Sequence, residues 1–199
     1  ANAVLAVATL VAVGVDPATA GAAVAGCTGA PGRMERVPGG HGVTGVVDYA
    51  HKPDAVAEVL AALRGMVSGD GRVICVIGAG GDRDRGKRPL MGAAAAGGAD
   101  LVIVTDDNPR TEPPVRIRAE VLAGTTGPEA RADVVEVAGR REAVAVAVAA
   151  ARPGDVVALL GKGHERGQEV AGEVFEFDDR VELAAAFRAA AGSRAGGAR

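Results

Sequence analysis

From residue 43 onward the chain alternates between two apolar rhythms. Val73-Ile74-Cys75-Val76-Ile77, Leu101-Val102-Ile103-Val104 and Val156-Val157-Ala158-Leu159-Leu160 are apolar at every position. Such runs read as strands buried on both faces. Between them, apolar residues recur every third or fourth place, which turns one face of a helix inward. The pattern predicts strands over 43–49, 72–77, 101–105, 134–137, 156–160 and 174–177. It predicts helices from Pro53 to about 66, with Val56, Val59, Leu60 and Leu63 on one face, and from Pro89 to about 97. Further helices are expected over 113–122, 140–151 and 179–191. Strands alternating with helices imply an α/β fold: a Rossmann-like, doubly wound, mainly parallel six-stranded sheet with helices on both faces.

Ahead of this unit, residues 3–13 read as a helix. Asp16 is placed to cap a second helix that has Pro17 at its first position and runs to about 26. Residues 29–45 are rich in Gly and Pro without a sustained period, and are expected to be a linker or extended arm. The tail, 192–199, is small and polar and is expected to fray. The chain opens inside a helical pattern, without an initiator Met or a capping residue before Asn2. It is therefore expected to be a piece of a longer protein, with 1–36 the end of a preceding domain and 37–199 a domain of its own.

Composition narrows the chemistry. Aromatic residues make up 2% of the 199 and Trp is absent, so Ala, Val, Leu and Gly must pack the core. Charged residues are an ordinary 24% and the net charge is −3. Without a basic stripe or aromatics for base stacking, nucleic acid is not the expected partner. The apolar stretch 1–15 lacks a basic flank and is too short to span a bilayer, so no membrane insertion is expected. Two cysteines, Cys27 and Cys75, make no disulfide framework, which suits a cytoplasmic protein.

Four polar loops follow apolar runs at their carboxyl ends, where open α/β sheets bind ligands. They are Asp48-Tyr49-Ala50-His51-Lys52-Pro53, the segment from Gly78 to Pro89, Asp106-Asp107-Asn108-Pro109-Arg110, and Gly161-Lys162-Gly163-His164-Glu165. The third carries both signs of charge within a few residues, which suits a zwitterion: carboxylates for an ammonium group, a guanidinium for a carboxylate. Gly78-Ala79-Gly80-Gly81 lacks the full dinucleotide spacing, and Asp82 would repel a pyrophosphate. Neither Gly86-Lys87-Arg88 nor Gly161-Lys162-Gly163 completes a phosphate-binding P-loop. His41, His51 and His164 match no zinc spacing. Taken one at a time, each loop also fits a plain solvated turn with internal ion pairs.

In this order, however, the four loops resemble the C-terminal domain of the Mur ligases, and most closely the branch that adds 2,6-diaminopimelate. Gly32-Arg33-Met34-Glu35 and Asn2-Ala3-Val4-Leu5-Ala6 resemble the end of that family's central ATP-binding domain. The resemblance implies an ATP-dependent acid–amino-acid ligase of cytoplasmic peptidoglycan synthesis. Such an enzyme joins meso-diaminopimelate to UDP-N-acetylmuramoyl-L-alanyl-D-glutamate through an acyl phosphate. The family's P-loop, carbamylated lysine and main Mg2+ ligands belong to parts of the protein not matched here. The expected partners are therefore these small molecules, ATP, and the N-terminal and central domains of the same protein. A chain lacking those domains is expected to be inactive alone.

By the same resemblance, Asp107, Asn108, Pro109 and Arg110 form the diaminopimelate-recognition motif. Arg110 and Asn108 would take the non-reacting end, Arg83 another carboxylate and Glu165 an ammonium group, with Gly161 giving backbone access. Lysine-adding relatives lack the motif's arginine, so Arg110 favours diaminopimelate. Asn2, Arg33 and Asp48 match positions near the nucleotide. No catalytic residue is assigned. The alternatives are another Mur or folylpolyglutamate-type ligase, and an amino-acid-binding module without catalysis.

Overall fold

Two short helices come first in the computed structural model, which describes residues 2–196: α1 (Asn2–Ala12) and α2 (Pro17–Ala25). The side chain of Asp16 accepts the Thr19 N–H at 3.0 Å, and Pro17 takes the first turn of α2, as the sequence predicts. These helices form one compact unit, Ala1–Ala30; the remainder, Pro31–Arg199, forms a second.

The second unit runs β1 (Glu35–Pro38), β2 (Thr44–Asp48), α3 (Pro53–Arg64), β3 (Val73–Ile77), α4 (Lys87–Gly98), β4 (Leu101–Val104) and α5 (Pro114–Leu122). It continues with β5 (Asp133–Glu136), α6 (Arg140–Ala150), β6 (Val156–Leu160), β7 (Gly167–Val170), β8 (Glu173–Glu176) and α7 (Asp179–Gly196). Six strands form one sheet in the order β1-β2-β6-β3-β4-β5, parallel except for the antiparallel edge pair β1–β2.

Alternate residues of the all-apolar strands feed two cores. Val73, Cys75, Ile77, Val102, Val104 and Ala158 face α3, α4 and α5, meeting Leu60, Leu63, Met91, Ile117 and Val121. Ile74, Val76, Ile103, Val157 and Leu159 face α6 and α7, meeting Val144, Val148, Leu183 and Phe187. Alanines at 95, 143, 147 and 158 do the filling that aromatics would do elsewhere. Burial pushes the Cys75 thiol up to about 12, so it packs as a hydrophobe and carries no reactive thiolate.

Three expectations need correction. The stretch expected to be a linker contains β1, the sixth strand of the sheet. Its four residues end in Pro38, and a short, proline-bearing strand belongs at an edge, where a missing donor costs nothing. The predicted strand over 174–177 lies outside the main sheet: Glu173–Glu176 pairs antiparallel with Gly167–Val170 as a separate two-stranded hairpin. Its apolar residues Val174 and Phe175 are exposed, unlike those of the buried runs. The tail is helical through Gly196, while 197–199 lie outside the described residues. A lesser shift is a start of α4 at Lys87, ahead of Pro89.

Candidate amino-acid site at the carboxyl ends of the strands

Asp48, Leu160, Ile77 and Val104 are each in register with the next, so four strands end at one level. Their loops therefore leave from one edge and meet. The Gly161 N–H donates to Asp48 O at 3.1 Å and the Gly81 N–H to Asn108 O at 2.8 Å. Gly161 has φ 114°, and a Cβ there would stand 2.5 Å from Asp107 Oδ2. Only glycine lets the fourth loop pass this close to the third. The third loop is tied at its root by Arg118, which donates to Asp106 at 2.5 Å and to Glu136 at 2.7 Å.

At the junction of the third and fourth loops lies a buried charge cluster. The Lys162 ammonium, fully buried, donates to Asn108 Oδ1 at 3.0 Å and to Glu165 Oε2 at 3.4 Å, with Asp107 Oδ1 at 3.8 Å. Asn108 Nδ2 donates to the same Glu165 oxygen at 2.8 Å, and the Glu169 N–H donates to Asn108 Oδ1 at 3.0 Å. The family resemblance assigns roles to Asp107, Asn108 and Glu165 and none to Lys162. Arg140 stands behind them, buried and held by Asp179 at 2.8 and 2.7 Å, and donates to Leu160 O at 3.0 Å. The Asp179 carboxylate, with further help from Asp107 and Glu165, raises its pKa despite the cost of burial.

Arg110 closes one side. It adopts φ 53°, and its Nη1 donates to Gly81 O at 2.7 Å. Glu169 Oε2 lies 3.1 Å from its Nε. The backbone of Arg110 docks on the hairpin: its N–H donates to Glu169 O at 2.9 Å, and the Ala171 N–H donates to Arg110 O at 2.7 Å. Gln168 adds a 2.6 Å bond to Asp107 O. The hairpin that left the main sheet thus builds a wall of the site. Asn108, Arg110, His164, Glu165, Glu169 and Val174 line an open depression of about 470 Å3. A guanidinium and carboxylates face a common space, as recognition of a zwitterion requires. Arg83 is exposed beside Gly80, its Nη1 donating to Asp82 O at 3.3 Å. Pro109 is buried, its carbonyl accepting the Glu112 N–H.

The second loop is clamped to the third. Asp82 accepts the Thr111 N–H at 3.0 Å and its hydroxyl at 2.9 Å, while the Asp82 N–H donates to Glu112 at 2.6 Å. Arg88 is fully buried and donates to Glu112 at 2.7 Å, to Glu120 at 2.6 Å and to Gly80 O at 3.0 Å. The hydrogen bond from Arg88, then that from the Asp82 N–H, hold the Glu112 carboxyl down at about 2. The 82–88 segment is therefore a built clamp and not the solvated turn that fits its sequence equally well. Lys87 donates to His51 O at 2.9 Å, joining the second loop to the first, and burial lowers its pKa.

Of the three residues expected near a nucleotide, Asp48 is buried and its carboxylate accepts the Met34 and Ala50 N–H groups, both at 2.8 Å. This anchors the turn carrying Arg33, whose guanidinium lies 4.6 Å from the Tyr49 ring centroid. His51 and His164 also meet that ring, at 4.7 and 5.4 Å. Asn2 opens α1 in the first unit and is exposed. Among the described residues, no three His, Cys, Asp or Glu side chains gather as a metal site.

Comparison with known proteins places this geometry. The family model described as "Mur ligase, glutamate ligase domain" matches residues 32–163, which include all four loops through Gly163. The chain belongs to the Mur ligase family. Among relatives named UDP-N-acetylmuramoyl-L-alanyl-D-glutamate–2,6-diaminopimelate ligase, that of Corynebacterium glutamicum is 53% identical over 190 residues. The alignment covers 94% of this chain and 36% of the relative. That of Streptomyces avermitilis is 50% identical over 185 residues, covering 92% and 36%. A solved structure bearing the same enzyme name is 43% identical, with a TM-score of 0.74, and covers 93% of this chain and 37% of its own. The UDP-N-acetylmuramate–alanine ligase of Thermotoga maritima, at 16% identity and a TM-score of 0.64, shares the fold. The chain spans a little over a third of the length of the relatives it matches. The resemblance carried by the four loops, and the mainly parallel α/β fold, thus hold for this Mur ligase chain.

Proposed function

We propose that this chain is the amino-acid-recognising part of a Mur ligase that adds meso-2,6-diaminopimelate to UDP-N-acetylmuramoyl-L-alanyl-D-glutamate, with ATP and Mg2+, in the cytoplasm. The observation that carries the reading is the depression bounded by Arg110, Asn108 and Glu165. Diaminopimelate has an ammonium and a carboxylate at each end. Arg110 suits the distal carboxylate, and Glu165 with Asp107 suits the distal ammonium. Arg83, exposed on the second loop and outside the lining of the depression, is assigned to a second carboxylate by the family resemblance. A substrate lacking the distal carboxylate, such as lysine, would forgo the charge-assisted contact with Arg110, and the loss of that contact is what discriminates. The names of the relatives support the substrate.

In this reading the remainder of the enzyme activates the dipeptide carboxylate as an acyl phosphate. The residues described here hold the incoming amine in line for attack, a contribution of position and charge. Asp48 acts on the nucleotide side indirectly, by fixing the turn that presents Arg33, and Asn2 is assigned to the nucleotide by the family resemblance alone. Domains of 1–36 and 37–199 remain the assignment suggested by family resemblance, the first being the end of the ATP-binding domain.

The test is steady-state kinetics of the complete enzyme. Arg110→Ala should raise the KM for diaminopimelate by the equivalent of about 2–4 kcal/mol and barely change that for ATP. Equal losses for both substrates would sink the assignment.

A further inference from the structure

A bare ammonium is expensive to bury, and Lys162 is buried completely. The fold does not need it to close the end of β6, because Arg140 already donates to the last carbonyl, Leu160 O, at 3.0 Å. What Lys162 does touch is the amino-acid site. A side-chain amide can turn end for end, and its orientation is set by its neighbours. Here Oδ1 of Asn108 meets two donors, Lys162 Nζ at 3.0 Å and the Glu169 N–H at 3.0 Å. Nδ2 meets the acceptor Glu165 Oε2 at 2.8 Å. Lys162 also stands within 3.4 Å of that oxygen and 3.8 Å of Asp107 Oδ1, a cation between two carboxylates. Arg140 feels both acids but is engaged by Asp179, and Lys87 reaches toward Asp107 from the second loop while bonded to His51 O. Neither can stand in for the Lys162 ammonium at Asn108.

We propose that Lys162 is the positioning residue of the amino-acid site: its buried ammonium sets the Asn108 amide and the Glu165 carboxylate in the orientation that receives the distal end of the substrate. It touches no substrate itself. Glu165 then presents its other oxygen, and Asn108 its fixed amide, to the depression. Without the ammonium, Asn108 loses one of the two donors that define its orientation, and Asp107 and Glu165 face each other without an intervening cation. This inference rests on the reading of the depression as the diaminopimelate site, so its test carries a control for that reading.

The complete enzyme is assayed with diaminopimelate and ATP varied separately, in the wild type, Lys162→Met, Lys162→Arg and Arg110→Ala. Lys162→Met should raise the KM for diaminopimelate at least about tenfold and leave that for ATP within about twofold. Lys162→Arg should recover most of the loss. Combined with Glu165→Gln, Lys162→Met should add less than its separate effect, since both act through one carboxylate. If Lys162→Met does not fold, Lys162→Gln, which keeps a donor for Asn108 but removes the cation between Asp107 and Glu165, should still raise the KM for diaminopimelate and not that for ATP, by less than the roughly tenfold expected of Lys162→Met. An unchanged KM for diaminopimelate, losses equal for both substrates without rescue by arginine, or full additivity with Glu165→Gln overturns the proposal. If these occur while Arg110→Ala still raises the diaminopimelate KM, the site reading stands and only the role of Lys162 falls. If Arg110→Ala has no effect either, the site reading itself has failed.

Discussion

Gly161 shows how narrowly single residues set the site. Its φ of 114° is open to glycine, and a methyl group there would press on Asp107 Oδ2 from 2.5 Å. Gly161→Ala should therefore strain the turn and displace the Asp107 carboxylate from the Lys162 cluster. The expected result is a KM for diaminopimelate raised at least about tenfold, together with a lower melting temperature, measured by kinetics and by thermal unfolding of the same sample. Unchanged values for both would show that the loops have slack. Charge of both signs after an apolar run marked the loop that carries Asn108 and Arg110 as a candidate, whereas the individual roles of Arg110, Asn108 and Glu165 came from the family resemblance. Lys162 received no role from either. Between two glycines it looks like a turn residue, and its burial arises only when Asn108, distant in sequence, folds against it. No local signal encodes that contact. The same holds for Asp48, whose acid suggests a ligand but whose two oxygens are taken by the N–H groups of Met34 and Ala50.

The central strands were the plainest elements in the sequence. β3, β4 and β6 are enclosed on both faces, so every residue had to be apolar and the pattern was unambiguous. β1 lies at an edge and β7–β8 form a two-stranded hairpin of their own, and in both cases pairing partners and not apolar rhythm decide the structure. The hairpin is nevertheless the element that holds Arg110 and Asn108. Between elements, the clamp from Arg88 in α4 to Glu112 and to Glu120 in α5 locks the second loop onto the third. Because Glu112 is held at about 2 in the folded chain, it binds a proton less readily there than when unfolded. Its contribution to stability is complete above the ordinary glutamate value of about 4.3 and is lost as pH falls through about 2. Denaturant unfolding of wild type and Glu112→Gln across this window should show the two curves converging toward low pH. A constant difference between them would mean the carboxylate is not linked to folding in this way.

At the scale of the whole molecule, the two compact units carry their apolar contacts unequally. Among the described residues, both hydrophobic clusters are drawn from the second unit, Pro31–Arg199. In the first unit α1 buries none of its residues, with Val4 and Leu5 exposed, and Ala20 is the residue of α2 that is buried. The second unit has, by contrast, a sheet covered on both faces and its loops tied by ion pairs from within, including Arg140–Asp179, both side chains fully buried. A unit with its own core and its own buried ion pairs meets the conditions for folding alone. A chain of residues 31–199 should therefore unfold in one cooperative step, with a denaturant midpoint close to that of residues 1–199, followed by circular dichroism. A midpoint lowered by much more than measurement error, or a broad transition, would show that the first thirty residues contribute to that core after all. The amino-acid site lies wholly within 31–199, so the shorter chain should also preserve the Lys162 cluster. The amide signals of Asn108 and Glu169 in NMR spectra of the two chains would then coincide, whereas shifts confined to those residues would trace a dependence of the site on the preceding helices.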